Sequence, residues 1–476
     1  MTSQPLSGRA RASVAAAACL LIGASWSVAV RESDADAADA PSIFVVDMHS
    51  HTEPGPHAKD DGKESLASQA ERGRVAGYHA IFHTPHSDLI TDAQSWADQQ
   101  AYERDGDWAL MRYLGEEVTV AKGPQWGKAT GRANNDHLGV VGQDAFIDHA
   151  LPMKASCERA HATGAVVTLN HPGPGPSMWE AGYWDRPSVR DRIDAIEVCN
   201  GQIMHVLPLD SFALYLRATK YSGWGVKLAA VGGTDSHSPT AVPEIATLIV
   251  AASDGETELV EAVRRRKTYV AYRLLDLRLR CDQLGETLLT GDVDLALDLS
   301  RKVKRITLYR EGRSIQNWTD TDHAEFKETI TENAAYAWRV MDGKARAYSS
   351  AIWYEPEPIA LPDLVVDMDA CALRGRKLTL GVANVGRVVA RDVVVEAWSG
   401  FPESGTETGA GTNLLGRHTF ADVAVDGRAQ IVFTLDNAPT GAVFIRVDPE
   451  GYGLDDEDAI PELDERNNCA LLPLSR

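Results

Sequence analysis

Six short segments of this chain each present a histidine or a carboxylate at, or just beyond, the end of an apolar stretch. Asp-Met-His-Ser-His gives His49 and His51, Thr-Pro-His-Ser gives His86, and Gly-Glu-Glu gives Glu116 and Glu117. Asn-Asp-His-Leu-Gly gives His137, Asn-His-Pro-Gly gives His171, and Gly-Thr-Asp-Ser-His gives Asp235 and His237. Imidazole nitrogen and carboxylate oxygen together suit Zn, Mn or Fe. A lone histidine carries no such meaning, and His79, His83, His149, His161 and His205 are expected to be surface or satisfied core residues. Repetition of the pattern from His49 to His237 is what points to a cluster of about two to three divalent metal ions. A water shared by such cations ionises near neutral pH, and a cation also polarises a P=O or C=O bond. The expected chemistry is hydrolysis, with Asp235 able to accept or relay a proton while it remains a ligand. No serine or cysteine nucleophile is required, and Gly-rich phosphate loops of the nucleotide-binding type are absent.

These residues need elements that bring them together. IFVVDM (43–48), YHAIFHT (78–84), YLGEEVTV (113–120), AVVTLN (165–170), AIEVCN (195–200), LAAVGG (228–233) and IATLIVAA (245–252) are short and apolar, as strands should be. Helical stretches such as SLASQAERGRVAG (65–77) and ETELVEAVRRR (256–266) lie between most of them. The alternation predicts an α/β unit over 42–273 with a parallel sheet, open or closed into a barrel. In a barrel the strand ends converge on one rim, where sites form. Strand residues alternate faces, so His49 and His51 share a face and only one of Glu116 and Glu117 can point to metal. From 274 to 358, LRLRCD, DLALDLS, RITLYREG and YAWRVMD predict a small antiparallel β-sandwich. The proline-rich run EPEPIALPD (355–363) reads as a stiff linker. Residues 361–476 carry period-two strands between Gly- and Asp-rich turns, which predicts a β-sandwich of immunoglobulin-like size.

With 476 residues and 44% hydrophobic content the chain can build several packed cores. Its net charge of −21 argues against nucleic acid or an anionic membrane surface as partner. Arg9 and Arg11, the apolar run 13–30 and Ala-Asp-Ala at 38–40 have the parts of a secretory signal. The expected location is therefore periplasmic, secreted or cell-surface, with a retained membrane anchor as the alternative. Beyond residue 40 five cysteines remain, an odd number, and Cys371 with Cys469 is the pair to test first for a disulfide.

In this order, DMHSH, TPHSD, GEEV, DHLG, NHPG and GTDSH resemble the motifs of the PHP (polymerase and histidinol phosphatase) superfamily, over about residues 42–275. The following region, closing with SSAIWYEP, is similar to the β-sandwich found after that domain in the CehA/McbA branch, which includes a carbaryl hydrolase. The resemblance implies a distorted (β/α)7 barrel. It also implies that His49, His51, Glu117 and Asp235 hold one cation, and that a bridging Glu117 with His137 and His171 holds a second. His86 and His237 would hold a third with either Asp61, which begins Asp-Gly, or His57, six residues after His51. Pro85 stands where the family usually has an aspartate that would orient His86, and Asp88 is the nearest substitute.

For substrate, Lys122, Lys128 and Arg132 could clamp a phosphate, while Met178, Trp179, Tyr183 and Trp184 could wall an apolar or sugar-like pocket. The branch and the aromatic loop favour a small-molecule ester, amide or carbamate over a phosphate ester. Two alternatives stand beside this reading: a PHP-type phosphoesterase, and an inactive barrel serving as a surface binding or adhesion protein. DLVVDM, VANVG and IPELDERNN resemble the CARDB family of bacterial adhesion-related domains over roughly 361–472, implying a cell-surface, glycan or protein partner. The acidic stretch 455–464 is expected to be a solvated turn rather than a calcium site.

Overall fold

The computed structural model describes residues 42–57, 59–119, 137–149, 151, 153–172, 190–201, 211–223, 225–238, 244–400, 413–439, 441–449 and 462–473. The segment read as an export signal lies outside them. No described helix is long and apolar enough to cross a membrane.

The N-terminal half runs β1 (Ser42–Asp47), α1 (Leu66–Ala76), β2 (Ala80–His83), α2 (Ala93–Asp105), β3 (Met111–Leu114), β4 (Glu116–Thr119), β5 (His137–Val141), α3 (Met153–Ala162), β6 (Val166–Leu169), β7 (Ala195–Asn200), α4 (Phe212–Thr219), β8 (Ala229–Gly233), β9 (Ile245–Ala251), α5 (Glu256–Arg264) and β10 (Thr268–Tyr272). Local chemistry sets these boundaries. Helix α1 starts where the Ser65 hydroxyl accepts from the Ser68 amide, and it stops at Gly77, whose φ of 89° is left-handed. Helix α2 starts at Asp92, which accepts from the Ser95 amide.

The expected (β/α)7 barrel is not formed. The strands fall into two sheets, and among the described residues neither closes. One has the order β4-β5-β6-β7-β8. The other is twelve-stranded, and in it β3-β2-β1-β9-β10 continue into strands 345–349, 334–342, 292–310 and 279–280. The pairings β1–β2, β2–β3, β6–β7 and β7–β8 are parallel, but β1–β9, β9–β10, β4–β5 and β5–β6 are antiparallel. A helix between two strands permits the return crossing that makes them parallel but does not enforce it: α3 joins antiparallel β5 and β6, and α5 joins antiparallel β9 and β10. The chain passes from one sheet to the other at Gly115, between β3 and β4, where a Cβ would meet the Val140 carbonyl oxygen at 2.7 Å.

Both sheets feed one core. Val46, Phe82 and Ile249 of the large sheet pack with Val141, Val166 and Val231 of the five-stranded one, all essentially solvent-free. Burying each such side chain contributes on the order of 1.5–3 kcal/mol. The separate small β-sandwich expected over 274–358 is also corrected. Strand 345–349 pairs with β10 from Tyr269–Ser349 to Tyr272–Arg346, so this region belongs to the large sheet.

Beyond residue 363, two four-stranded antiparallel sheets enclose a core that includes Leu378, Leu380, Val393, Val395 and Ile445. This unit is fastened to the rest of the chain by ion pairs: Arg466 with Asp194 (3.6 Å), Arg446 with Glu158 (3.5 Å) and Arg387 with Glu355 (3.1 Å). Asp464 binds Arg466 from Oδ1 at 2.6 Å and Oδ2 at 2.9 Å, so this described end of the acidic stretch is occupied internally. Cys371 and Cys469 are not joined in a disulfide, and neither are Cys157, Cys199 and Cys281.

Candidate metal centre

Nearly all the predicted ligands converge on one carboxylate. Glu117 Oε1 lies 3.2 Å from His49 Nε2, 3.0 Å from His137 Nδ1 and 3.0 Å from His171 Nε2. Glu117 Oε2 lies 3.1 Å from His51 Nε2 and 3.3 Å from His86 Nδ1. Asp235 Oδ1 stands 3.6 Å from His49, 3.4 Å from His51 and 3.4 Å from His237. Among the described residues three groups present ligand atoms lying within 4.8 Å of one another: His49, His51 and Glu117; His86, Glu117 and His137; and His51, Asp61, His86 and His237.

The donor set fits cations. Glu117 Oε1 also accepts from Asn170 Nδ2 at 3.1 Å, so four nitrogens crowd one oxygen. That is more than a carboxylate oxygen accepts by hydrogen bonding alone. His49 Nε2 and His51 Nε2 face each other at 3.2 Å, an arrangement two neutral lone pairs do not favour. Cations between these atoms would satisfy all of them.

Of the two candidates for the last ligand, Asp61 is the one that lies with the cluster. Asp61 Oδ1 lies 3.0 Å from His237 Nε2 and 3.9 Å from His86 Nε2. His57 is exposed and packs edge-on to Tyr102, away from the cluster. Alternation along β4 places Glu117 in the cluster and turns Glu116 into the interior, where it accepts from the Ile147 amide at 3.0 Å. Burial raises the Glu116 pKa well above 4.5. Asp88 accepts from the Thr119 hydroxyl at 3.0 Å. Lys122, Lys128, Arg132, Met178, Trp179, Tyr183, Trp184 and His205 lie outside the described residues.

Two candidate ligands sit on strained backbone. His171 has φ 30° and Asp235 has φ 45°, both in the left-handed region that side chains with a Cβ avoid. Each is held by several bonds. The His171 amide donates to Glu197 Oε2 at 2.6 Å; the Asp235 amide donates to the His49 carbonyl at 2.8 Å, and Asn200 Nδ2 donates to Asp235 Oδ2 at 3.0 Å. Strain sustained in this way clusters at functional sites.

Glu197 is one residue of the cluster that the sequence did not single out. It is buried in β7, and its Oε1 lies 3.3 Å from His49 Nδ1, the ring nitrogen turned away from Glu117. A carboxylate there orients a ligating imidazole. The one available signal was an acid in the middle of AIEVCN, an otherwise apolar strand. Asp47 acts similarly on the backbone, accepting from the Thr234 amide (2.8 Å) and hydroxyl (2.6 Å). Burial raises its pKa to about 6.

Gly233 lets β8 approach β1. A Cβ there would lie 2.4 Å from His49 Cβ and 2.6 Å from the His49 amide nitrogen. Gly233→Ala must therefore move His49, and metal affinity is expected to fall by about 10–100-fold, the scale of a misoriented ligand. Isothermal titration with Zn2+ reads this, and unchanged affinity would contradict it.

Without metal, burial opposes charge on His49, but Glu117, Asp235 and Glu197 override it and raise its pKa well above 6.5. His51, buried and beside Asp60, and His171, buried and bonded to Glu117, shift the same way. Burial opposes ionisation of Glu117, yet His137, His49 and His86 hold it well below 4.5. The sign follows: these pairs stabilise the metal-free fold fully between the unfolded values of 4.5 and 6.5. That stability is lost as pH rises through the raised histidine values, or falls through the depressed carboxylate ones. Ligation needs neutral imidazole, so metal affinity runs opposite to it above pH 6.5. The rise in melting temperature on adding Mn2+ is expected to be larger at about pH 8 than at about pH 6. Thermal melts at the two values check this, and equal or reversed increments would count against the cluster as a metal site.

No family model matches the chain, and no curated protein matches its sequence. Solved structures match in part. PsfC from Pseudomonas syringae PB-5123 is 15% identical over 49% of this chain and 95% of that one, with a TM-score of 0.34. β-Glucuronidase 3 of Bacteroides uniformis is 13% identical over 46% of this chain and 27% of its own, with a TM-score of 0.17. The human OSCAR ligand-binding domain is 12% identical over 42% and 97%, with a TM-score of 0.18. At such scores these likenesses establish neither a shared fold nor a shared activity.

Proposed function

We propose that this chain is a metal-dependent hydrolase. The observation that carries the reading is Glu117, buried with both oxygens enclosed by five imidazoles from four different segments. His49, His51, Glu117 and Asp235 would hold one cation, and Glu117, His137 and His171 a second. His86, His237 and Asp61 would hold a third. Bound Zn, Mn or Fe would supply Lewis acidity and make a water acidic enough to attack near neutral pH.

The chain's own groups do the rest. Glu197 and Asp60 hold the distal nitrogens of His49 and His51, so both rings present Nε2 to the centre. Asn200 anchors Asp235 Oδ2, leaving Oδ1 beside His49, His51 and His237. That carboxylate is placed to accept a proton from the attacking water and pass it on. The favoured substrate is a small-molecule ester, amide or carbamate, on the strength of the aromatic residues Trp179 and Trp184 beyond His171. The acidic net charge of −21 argues against nucleic acid, and the basic head and apolar run before residue 40 support export.

Metal-reconstituted protein screened against aryl esters, carbamates, aryl phosphates and phosphodiesters tests the reading, with His51→Ala as the blank. Hydrolysis by the wild type alone is expected. Equal rates in the blank would reject the site, and less than one Zn, Mn or Fe per purified chain would support a binding protein instead.

A further inference from the structure

Behind His51 runs a chain of buried polar groups that returns to its starting point. His51 Nδ1 lies 3.0 Å from Asp60 Oδ1, and Asp60 Oδ2 lies 3.0 Å from His83 Nε2. His83 Nδ1 lies 2.5 Å from Glu103 Oε1, and Glu103 Oε2 pairs with Arg112 Nη2 at 3.3 Å. Arg112 Nη1 donates to Gln69 Oε1 at 2.8 Å, and Gln69 Nε2 donates to the carbonyl of His51 at 3.0 Å. All six side chains are buried, and they come from the loop after β1 and from β2, α2, β3 and α1.

We propose that this closed circuit, with His83 at its centre, exists to position His51 and Asp61 for metal. The inference rests on the metal-centre reading above. Both ring nitrogens of His83 face carboxylate oxygens, which carry no hydrogen of their own. Nε2 also lies 3.1 Å from the Thr52 hydroxyl, and a His83 that donates from both sides is an imidazolium between Asp60 and Glu103. Two carboxylates are thus matched by one imidazolium and one guanidinium. A buried ionic network of this kind adds little stability compared with apolar residues of equal volume. Its placement behind a ligand shared by two of the candidate cation groups gives it a different task.

Asp60 is the pivot. It fixes the His51 ring through Nδ1, and it accepts from the Asp61 amide at 2.9 Å and the Thr52 amide at 2.7 Å. One carboxylate therefore sets the ring of one ligand and the backbone of another. The motif Thr-Pro-His has no acid beside His86, and Asp60 backs the neighbouring ligands instead. His83 shares Asp60 Oδ2 with the Thr52 amide, so an acceptor or an apolar group at that position would weaken the hold on the carboxylate.

Co2+ titration of the full chain tests this, followed by visible absorption and by melts of the metal-free protein. Asp60→Asn puts an amide donor where two donors already point, and His83→Gln cannot donate to both carboxylates. Both variants are expected to bind Co2+ about 10–100-fold more weakly, with a changed ligand-field band at saturation. A role confined to stability would lower the melting temperature and leave that band unchanged. Wild-type affinity and band in folded variants overturn the circuit alone. No Co2+ uptake by the wild type overturns the metal reading and the circuit together. If His83→Gln fails to fold, the near-isosteric Asp60→Asn carries the same test.

Discussion

Glu117→Gln is expected to empty the centre and to reduce hydrolysis by about a thousand-fold or more, equivalent to about 4 kcal/mol of lost transition-state stabilisation. The exchange keeps shape but removes the charge around which His49, His51, His86, His137 and His171 are gathered. It also turns an amide N–H2 toward at least two ring nitrogens that ligation requires as lone pairs. Elemental analysis should find the bound metal reduced to less than half the wild-type content. Glu116→Gln, one residue away, is the matched control. Burial disfavours charge on Glu116, which accepts from the Ile147 amide away from the cluster, so an amide there should leave the metal content as it is. Full metal and full activity in Glu117→Gln would dismiss Glu117 as the bridge.

Arg466→Ala is expected to destabilise the fold by about 3–5 kcal/mol, the usual result of leaving a buried charge without its partner. Its guanidinium pairs with Asp194 and grips Asp464 with two bonds. Asp194 is buried, and it also takes the Val167 amide at 2.8 Å and His161 at 2.9 Å, just before β7 begins. Loss of the arginine therefore loosens the entry to the strand that carries Glu197. Urea denaturation should show a lower midpoint, with metal affinity reduced as well. Arg74→Ala, which breaks an exposed pair with Glu71, should leave the midpoint unchanged. Equal behaviour of the two variants would mean that the C-terminal unit does not brace the centre.

The sequence made the candidate ligands visible because most of them border a short apolar strand, and because spacings such as His-x-His and Asp-x-His impose a common face or turn. It could not rank Asp61 against His57, since both lie in a loop where no period ties spacing to direction. Asp60 and Glu197 were missed for a related reason. They act through ring nitrogens of residues 9 and 148 positions away, and such pairs leave no local pattern. His83 was expected to be a surface or satisfied core residue; it is buried between two carboxylates that only the fold brings to it. The barrel failed as an expectation because alternation of strands and helices fixes which elements exist, not which strands become neighbours. With antiparallel partners on β9, β1 gains an edge contact that a closed parallel ring would have given to another strand. The same freedom let β10 continue into the region read as a separate sandwich.

That continuity bears on what happens if the chain is severed. Strand β10 is zipped on both sides, to β9 and to residues 345–349. A protease nick followed by loss of everything after Arg273 would bare one flank of Thr-Tyr-Val-Ala-Tyr, a β-branched and aromatic ribbon with no charge and no proline. Such a flank is a template for foreign strands. Clumping, rather than a smaller soluble fragment that still takes up cations, is the outcome to anticipate from trimming the molecule there.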